Sequence, residues 1–328
     1  MKSFQTLLLR MRASLRTTRA RAGLATVPAA LHIRLDDLDA PPGDASPSTG
    51  APRSLDDVQR DIAAWVRAFG PAPVHVTARA THPHLAETMR FAHRLEARVS
   101  LRTCARGLDT EVAARILETA PRVVRVRVAG MDDVVQGAVL DETVEEARAA
   151  IEALLTMRTL LGGDGATCAV RAAWVPTEAG APHLRGIFDL ARRAAMDGVD
   201  VEAPWMPEPA GPALRDALAW ARAQHAPFHG TPAGTIDALL AVRTRTDHAG
   251  VARSGAGRCP VGGTRLEVRP DGSVTHCPIR CAPAPGAAPV PGSLAADARA
   301  ALASLADQRR HIRACDRACL HPDVTPGP

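Results

Sequence analysis

Short apolar segments alternate with longer amphipathic segments from about residue 29 to about residue 225. The apolar segments are rich in valine, and their closely spaced apolar positions predict strands that are buried on both faces. The predicted strands cover residues 29–35, 72–78, 97–103, 122–129, 167–175 and 198–205. The amphipathic segments repeat apolar positions every three to four residues, which predicts helices. The predicted helices cover residues 54–69, 85–97, 110–120, 142–161, 182–196 and 212–224.

Six strand–helix units in succession predict an α/β fold with a parallel sheet, right-handed crossovers and helices on the outside. The pattern fits a sheet that is open and doubly wound, and it also fits a sheet that is curled into a partial barrel. In both architectures the functional residues collect at the carboxyl ends of the strands.

The composition changes after about residue 225, where glycine and proline rise and five of the seven cysteines gather. A linker of proline, alanine and glycine at 282–292 is followed by a predicted helix at 293–315. We therefore predict three parts, with a domain boundary near 226–255: a basic N-terminal extension (1–25), the strand–helix domain (26–225) and a cysteine-rich domain (226–328).

The net charge of +5 does not predict nucleic-acid binding, because the arginines are spread among acidic residues rather than gathered in one basic stripe. No run of eighteen apolar residues is present, so no membrane span is predicted. The stretch before Asp36 is rich in arginine and has no acidic residue, which fits an amphipathic surface helix or a targeting segment. The absence of a secretory signal predicts a reducing, cytoplasmic location, where clustered cysteines usually bind metal.

Five cysteines in the last quarter of the chain form two local pairs and one single residue. The segment between Cys259 and Cys277 predicts a β-hairpin with its turn at Pro270-Asp271-Gly272, and a hairpin brings its two ends together. Cys315 and Cys319 lie one helical turn apart. The two pairs together predict a four-thiolate site for a 4Fe–4S cluster, with zinc as the alternative. Cys281 is an extra or alternative ligand.

The two remaining cysteines, Cys104 and Cys168, fall near predicted strand ends. Each is interpreted as a small core residue rather than a nucleophile. His82 and His84 follow the second predicted strand and are candidates for substrate contact.

The spacing C-x12-G-x4-C, from Cys259 through Gly272 to Cys277, with a late C-x3-C, resembles the auxiliary-cluster module called SPASM, or twitch, of radical S-adenosylmethionine (SAM) enzymes. The preceding strand–helix units resemble the partial (β/α)6 barrel of the same family. Four segments carry this likeness: LHIRL (31–35), VHVTARATHPHL (74–85), VSLRTCARGLD (99–109) and VVRVRVAGMDD (123–133).

The sequence departs from the family at the residues that face SAM. The family needs C-x3-C-x2-C after the first strand, whereas this chain has no cysteine before Cys104. Residues 78–81 read Ala-Arg-Ala-Thr where the family has Gly-Gly-Glu-Pro, and two glycines allow a close backbone approach that Ala and Arg do not. Cys104 stands where the family often has Asn. Residues 127–130 read Arg-Val-Ala-Gly where the family has Ser-x-Asp-Gly.

The resemblance and its departures together predict a catalytically degenerate radical SAM-like protein that binds one auxiliary 4Fe–4S cluster and does not cleave SAM. Its expected role is that of a binding or partner subunit in peptide or cofactor maturation. The expected partners are an intact radical SAM enzyme or a precursor peptide. The alternatives are an active radical SAM/SPASM enzyme with a non-standard cluster site and a zinc-stapled α/β binding domain.

Overall fold

The strands of the protein form one eight-stranded sheet with the order β6-β5-β4-β3-β2-β1-β7-β8. The computed structural model describes residues 30–36, 38, 53–162, 167–202, 211–224 and 265–275. The strands are β1 (Ala30–Arg34), β2 (Val74–Thr77), β3 (Val99–Thr103), β4 (Val123–Val128), β5 (Ala169–Trp174), β6 (Val199–Val201), β7 (Arg265–Val268) and β8 (Val274–Thr275). Strands β1 to β7 are parallel, and β8 is antiparallel to β7.

Helices follow the strands, and most of them pack into one core on a single face of the sheet. They are α1 (Leu55–Phe69), α2 (Leu85–Arg94), α3 (Thr110–Leu117), α4 (Asp133–Leu140), α5 (Val144–Leu161), α6 (Leu184–Arg193) and α7 (Pro212–Ala223). Alternate residues of each strand join the helices in one core, which includes the fully buried Trp65, Trp174 and Phe188. Because the other residues of each strand point away from this core, the sheet has an outer, helix-covered face and an inner face.

The strand order decides between the two architectures that the sequence left open. A doubly wound sheet reverses its strand order and carries helices on both faces. Here the order runs from β1 to β6 without a reversal, and one core on one face contains residues of every described helix except α4. The α/β partial barrel predicted from the sequence is therefore confirmed, as are the six predicted strands and the helices between them.

The hairpin predicted around residue 271 is confirmed, and it occupies an unexpected place in the fold. Gly272 has φ +84°, and the Ser273 amide donates to the Asp271 carboxylate over 2.8 Å, as the turn chemistry requires. The first strand of this hairpin, β7, pairs in parallel with β1, in a register that places Leu31 beside Leu266. The hairpin thus extends the sheet of the strand–helix domain.

One helix, α4, was not anticipated from the sequence. It starts at the N-cap Asp132, whose carboxylate accepts the Val135 amide over 2.8 Å, and it stops at Asp141 in a left-handed conformation. Gly137 and a run of valines give this segment low helix propensity, which explains why the pattern alone missed it. Helix α5 begins directly afterwards with a reciprocal capping box between Thr143 and Glu146.

Several sequence-based predictions lie outside the described residues. They are the N-terminal surface helix, the helix at 293–315, the linker at 282–292 and the five cysteines of the C-terminal part. The division of the chain near residues 226–255 stays a prediction. Among the helices of the described residues, none is long and apolar enough to cross a membrane.

Two glycines provide opposite tests of the packing at the carboxyl end of β4. A Cβ on Gly180 would lie 2.5 Å from the Ala129 carbonyl oxygen, whereas a Cβ on Gly137 would meet its nearest atom at 3.8 Å. We expect Gly180→Ala to destabilise the protein by about 1–3 kcal/mol through overpacking. Gly137→Ala should stabilise it by about 0.5–1 kcal/mol, because alanine favours a helix interior. Urea unfolding measures both, and equal effects of the same sign would contradict the packing described here.

Candidate functional site

The inner face of the sheet is polar and charged, although it is largely buried. Arginines project from β1, β3, β4 and β5, histidines from β1 and β2, and carboxylates from β6, from the residue that follows it and from β7. These residues are Arg34, Arg102, Arg125, Arg127, Arg171, His32, His75, Asp200, Glu202 and Glu267. Charged groups persist in such a place only when they are paired or hydrogen-bonded.

Two carboxylates at the edge of the sheet pair with four of these arginines. Asp200 in β6 accepts from Nε of Arg125 over 2.6 Å and from Nε of Arg171 over 2.9 Å. Glu202, which follows β6, lies 2.8 Å from Nε of Arg102 and 3.3 Å from Nε of Arg127. The inner face is therefore held together by ion pairs between strands rather than by apolar contacts.

A second ion pair joins the N-terminal strand to the C-terminal hairpin. Nη1 of Arg34 in β1 lies 3.3 Å from Oε1 of Glu267 in β7, and both side chains are almost completely buried. On the same face, the rings of His32 and His75 stack with their centroids 4.4 Å apart. Removal of either partner alone would therefore leave an uncompensated buried charge between β1 and β7.

Arg127 of β4 connects three elements at the carboxyl ends of the strands. Its guanidinium donates through Nη1 to the Leu38 carbonyl oxygen in the segment after β1, and through Nε to Glu202 after β6. The same guanidinium is hydrogen-bonded to the Cys104 thiol at the end of β3. Arg127 thus lies at the mouth of the partial barrel, where it is hydrogen-bonded to the segment that follows the first strand.

The two histidines that the sequence singled out lie at the same mouth, after β2. The His84 amide donates to Nδ1 of His82 over 3.1 Å, and the two rings are 5.5 Å apart. Burial lowers the pKa of His82, the Asp36 carboxylate opposes this shift, and His84 adds to it. Oδ2 of Asp36 also accepts the Arg79 amide over 2.8 Å, which ties the ends of β1 and β2 together.

Cys104 and Cys168 are both buried, as the sequence predicted. Burial raises the pKa of the Cys104 thiol to about 11, although the nearby Arg127 guanidinium acts in the opposite direction. Burial also raises the pKa of the Cys168 thiol to about 12. Because the thiolate is the form that binds metals and attacks electrophiles, neither residue is suited to either task at neutral pH.

Glu142 is a buried carboxyl group in the turn between α4 and α5, close to Cys104. Its Oε1 accepts the Arg106 amide over 2.7 Å, whereas its Oε2 is buried without a hydrogen-bond partner among the described residues. Burial raises the pKa of Glu142, and the backbone hydrogen bonds from Arg106 and Ala105 reduce this shift without cancelling it. The hydrogen bonds to Glu142 therefore compensate only in part for the burial of its carboxylate form.

A histidine–carboxylate pair at the mouth of the partial barrel was not predicted from the sequence. Nε2 of His183, which precedes α6, lies 2.9 Å from Oδ2 of Asp132, which precedes α4. Beside this pair, Gln136 accepts the amides of Ala129 and Gly130 through Oε1, over 2.9 and 3.3 Å. The sequence indicated this pair only through the positions of its two residues. Both follow strands, at the end of a parallel sheet where functional residues collect.

The described residues contain no group of three or more histidines, cysteines or acids that could hold a metal ion. The predicted ligands Cys259, Cys277, Cys315 and Cys319, and the extra candidate Cys281, lie outside these residues. The described residues after β1 are Leu35, Asp36 and Leu38, none of which is a thiolate donor. These described residues after β1 therefore supply no thiolate for a three-thiolate cluster of the radical SAM type.

The buried thiols predict a selective pattern of chemical modification. The raised pKa of the Cys104 thiol leaves much less thiolate at pH 7.5 than an exposed cysteine has. We expect iodoacetamide to leave Cys104 and Cys168 unmodified in the folded protein and to label both in urea. Peptide mapping by mass spectrometry reads this out, and rapid native labelling of Cys104 would contradict its burial.

Glu142 predicts a pH-dependent gain of stability on substitution. The pKa of Glu142 is higher in the folded protein than its ordinary value of 4.5. The stability that Glu142 contributes is therefore complete below pH 4.5 and is lost as the pH rises through the raised pKa of the folded protein. Glu142→Gln, which imitates the protonated form, should therefore raise the free energy of unfolding at neutral pH, and this gain should shrink towards about pH 4. Urea unfolding across this range tests it. The exposed Glu152→Gln is the control and should show no comparable trend.

No family model and no curated protein matches the sequence. Solved structures do match the fold. SuiB of Streptococcus suis bound to S-adenosylmethionine has a TM-score of 0.55 and 12% identity, over 79% of this chain and 61% of SuiB. SuiB bound to the precursor peptide SuiA has a TM-score of 0.55 and 11% identity, over 80% of this chain and 63% of SuiB. The chain thus spans less than two thirds of the length of SuiB.

A second matching structure is anSMEcpe with bound AdoMet and the Cp18Cys peptide. It has a TM-score of 0.55 and 14% identity, over 83% of this chain and 79% of anSMEcpe. Identities this low carry information about the fold alone. The α/β partial barrel of this chain is the fold of radical SAM enzymes.

Proposed function

We propose that the chain is a radical SAM-like protein that no longer cleaves SAM and that holds one auxiliary 4Fe–4S cluster through its C-terminal cysteines. Its role is that of a binding or partner subunit in peptide or cofactor maturation. The single observation that supports this proposal most strongly is the position of Arg127, whose guanidinium binds the Leu38 carbonyl in the segment after β1.

That segment corresponds, in the resemblance to the family, to the loop that carries the SAM-cleaving cluster. In this chain a guanidinium from β4 and the carboxylate of Glu202 lie at the mouth where cluster-binding thiolates would be needed. A positively charged arginine that is already paired supplies no ligand to iron, because Arg remains protonated in proteins. The nearest cysteine in the sequence, Cys104, is held as a protonated thiol by its burial.

The C-terminal cysteines support the second half of the proposal through their spacing. Cys259 and Cys277 flank the segment whose centre forms the β7–β8 hairpin, and Cys315 and Cys319 are one helical turn apart. Four thiolates are a sufficient ligand set for a 4Fe–4S cluster, which supplies electron transfer or structural support when bound. Cys281 remains an extra or alternative ligand in this proposal.

A peptide is the class of partner that we propose first. SuiB binds the precursor peptide SuiA and anSMEcpe binds the Cp18Cys peptide, each on a fold that this chain shares. A chain that has the fold without the SAM-cleaving ligands would bind a peptide, or dock onto an intact radical SAM enzyme, without transforming it. Co-purification with the product of a neighbouring gene of either kind would support this role.

Metal analysis of the anaerobically purified protein tests the cluster. We expect about four irons and about four sulfides per chain, with a brown iron–sulfur absorbance. Cys259→Ala and Cys319→Ala should abolish the iron, because each removes one of four ligands. The matched control is Cys168→Ala, a buried cysteine at the start of β5, which should keep the iron. Zinc without iron would overturn the cluster and leave the zinc-stapled alternative.

Incubation with SAM and a strong reductant tests the loss of catalysis separately. We expect no 5′-deoxyadenosine above the level of a protein-free sample. Its formation in amounts that follow the protein concentration would contradict the proposal and would favour an active enzyme with a non-standard cluster site.

A further inference from the structure

Arginines stand at facing positions on three neighbouring strands of the inner face. In the register of the sheet, Arg102 of β3 lies beside Arg125 of β4, and Arg125 lies beside Arg171 of β5. Like charges at directly opposite positions of adjacent strands destabilise a sheet. A row of three arginines is therefore stable only when carboxylates of the protein or another anion neutralise it.

The pairing of Arg125 and Arg171 is incomplete. Both guanidiniums reach the same carboxylate through Nε, with Asp200 Oδ2 at 2.6 Å from Arg125 and Asp200 Oδ1 at 2.9 Å from Arg171. Each of the two carboxylate oxygens of Asp200 thus accepts a hydrogen bond from one arginine. Among the described residues, these two positive charges share one negative charge, which leaves an excess of positive charge between them.

The same two arginines keep hydrogen-bonding capacity and access to solvent. Nη2 of Arg171 is buried and has no hydrogen-bond partner among the described residues. A buried donor without an acceptor is costly, because its desolvation is not compensated. The Arg125 side chain keeps 32% of its surface exposed and that of Arg171 keeps 17%, so an external acceptor can approach.

We propose that Arg125 and Arg171 form a binding site for an oxyanion, a carboxylate or phosphate group of a ligand that enters the inner face. The guanidinium is planar, and its donors match the two oxygens of such a group in a fork. Asp200 bridges the two Nε atoms and so orients both guanidiniums, while Nη2 of Arg171 has no hydrogen-bond partner among the described residues.

This site does not depend on the auxiliary cluster or on its cysteines. Loss of iron from a cysteine variant leaves the anion site untouched, and loss of anion binding leaves the iron content unchanged. The two proposals therefore fail separately.

The test is a titration of the full chain at constant ionic strength, with inorganic phosphate in one series and citrate in the other. Thermal unfolding and calorimetry measure binding, and sodium chloride of equal ionic strength is the reference. We expect a saturable rise in the unfolding temperature with at least one anion, as mass action requires. A response to phosphate alone assigns a phosphate ligand, and a response to citrate alone assigns a carboxylate.

Variants locate the binding. Arg171→Gln should weaken it by roughly tenfold or more, because a charge-assisted hydrogen bond is lost. The exposed Arg193→Gln of α6 changes the net charge equally and should bind as the wild type does. Where Arg171→Gln does not fold, Arg171→Lys keeps the charge without the planar fork and should also bind more weakly.

Asp200→Asn separates a ligand site from a structural cluster. It removes the negative charge that competes for both guanidiniums, so anion binding should tighten severalfold even where thermal stability falls. A purely structural cluster would lose stability without any gain in anion affinity. No saturable response to either anion, or equal affinities of Arg171→Gln and Arg193→Gln, would overturn the proposal.

Discussion

The charged inner face of the sheet depends on two carboxylates at its edge. Asp200 and Glu202 pair with arginines of β3, β4 and β5, and each reaches β4 across 75 residues of sequence. Facing arginines would otherwise repel one another across neighbouring strands. Because β6 is the last of the six strand–helix units, this part of the inner face acquires its counter-charges only when the series of units is complete.

The two faces of the sheet differ in chemical character. The outer face carries the valines, leucines and aromatic residues that pack against the helices, and this packing specifies the partial barrel. The inner face and the mouth carry charged residues that are joined by ion pairs and hydrogen bonds. Arg127 at the mouth anchors the chain after β1 in a fold that other proteins use to bind SAM. A fold therefore indicates where function resides without specifying which function it is.

Much of the fold followed from local pattern, and particular elements show where pattern was insufficient. The strands were expected to be buried on both faces, and the ten charged and histidine side chains of the inner face are indeed buried or half-buried, although they are polar rather than apolar. The alternation of apolar and polar residues in LHIRL and VVRVRV shows that one face of each strand is polar. It does not show whether water or an ion pair provides the hydrogen bonds of those polar side chains. Helix α4 was missed because its glycine and valines weaken the helical signal, whereas its N-cap Asp132 and its packing stabilise it.

The sequence by itself determined the order of strands and helices, the outer core, the hairpin turn at Gly272 and the burial of Cys104 and Cys168. These features depend on periodicity and turn chemistry within short segments, which a sequence displays directly. Only the tertiary structure decided that β7 joins β1, that Arg127 reaches the Leu38 carbonyl and that His183 meets Asp132. Such contacts depend on strand order and register between segments far apart in the chain, and no local pattern encodes which distant charge will face which.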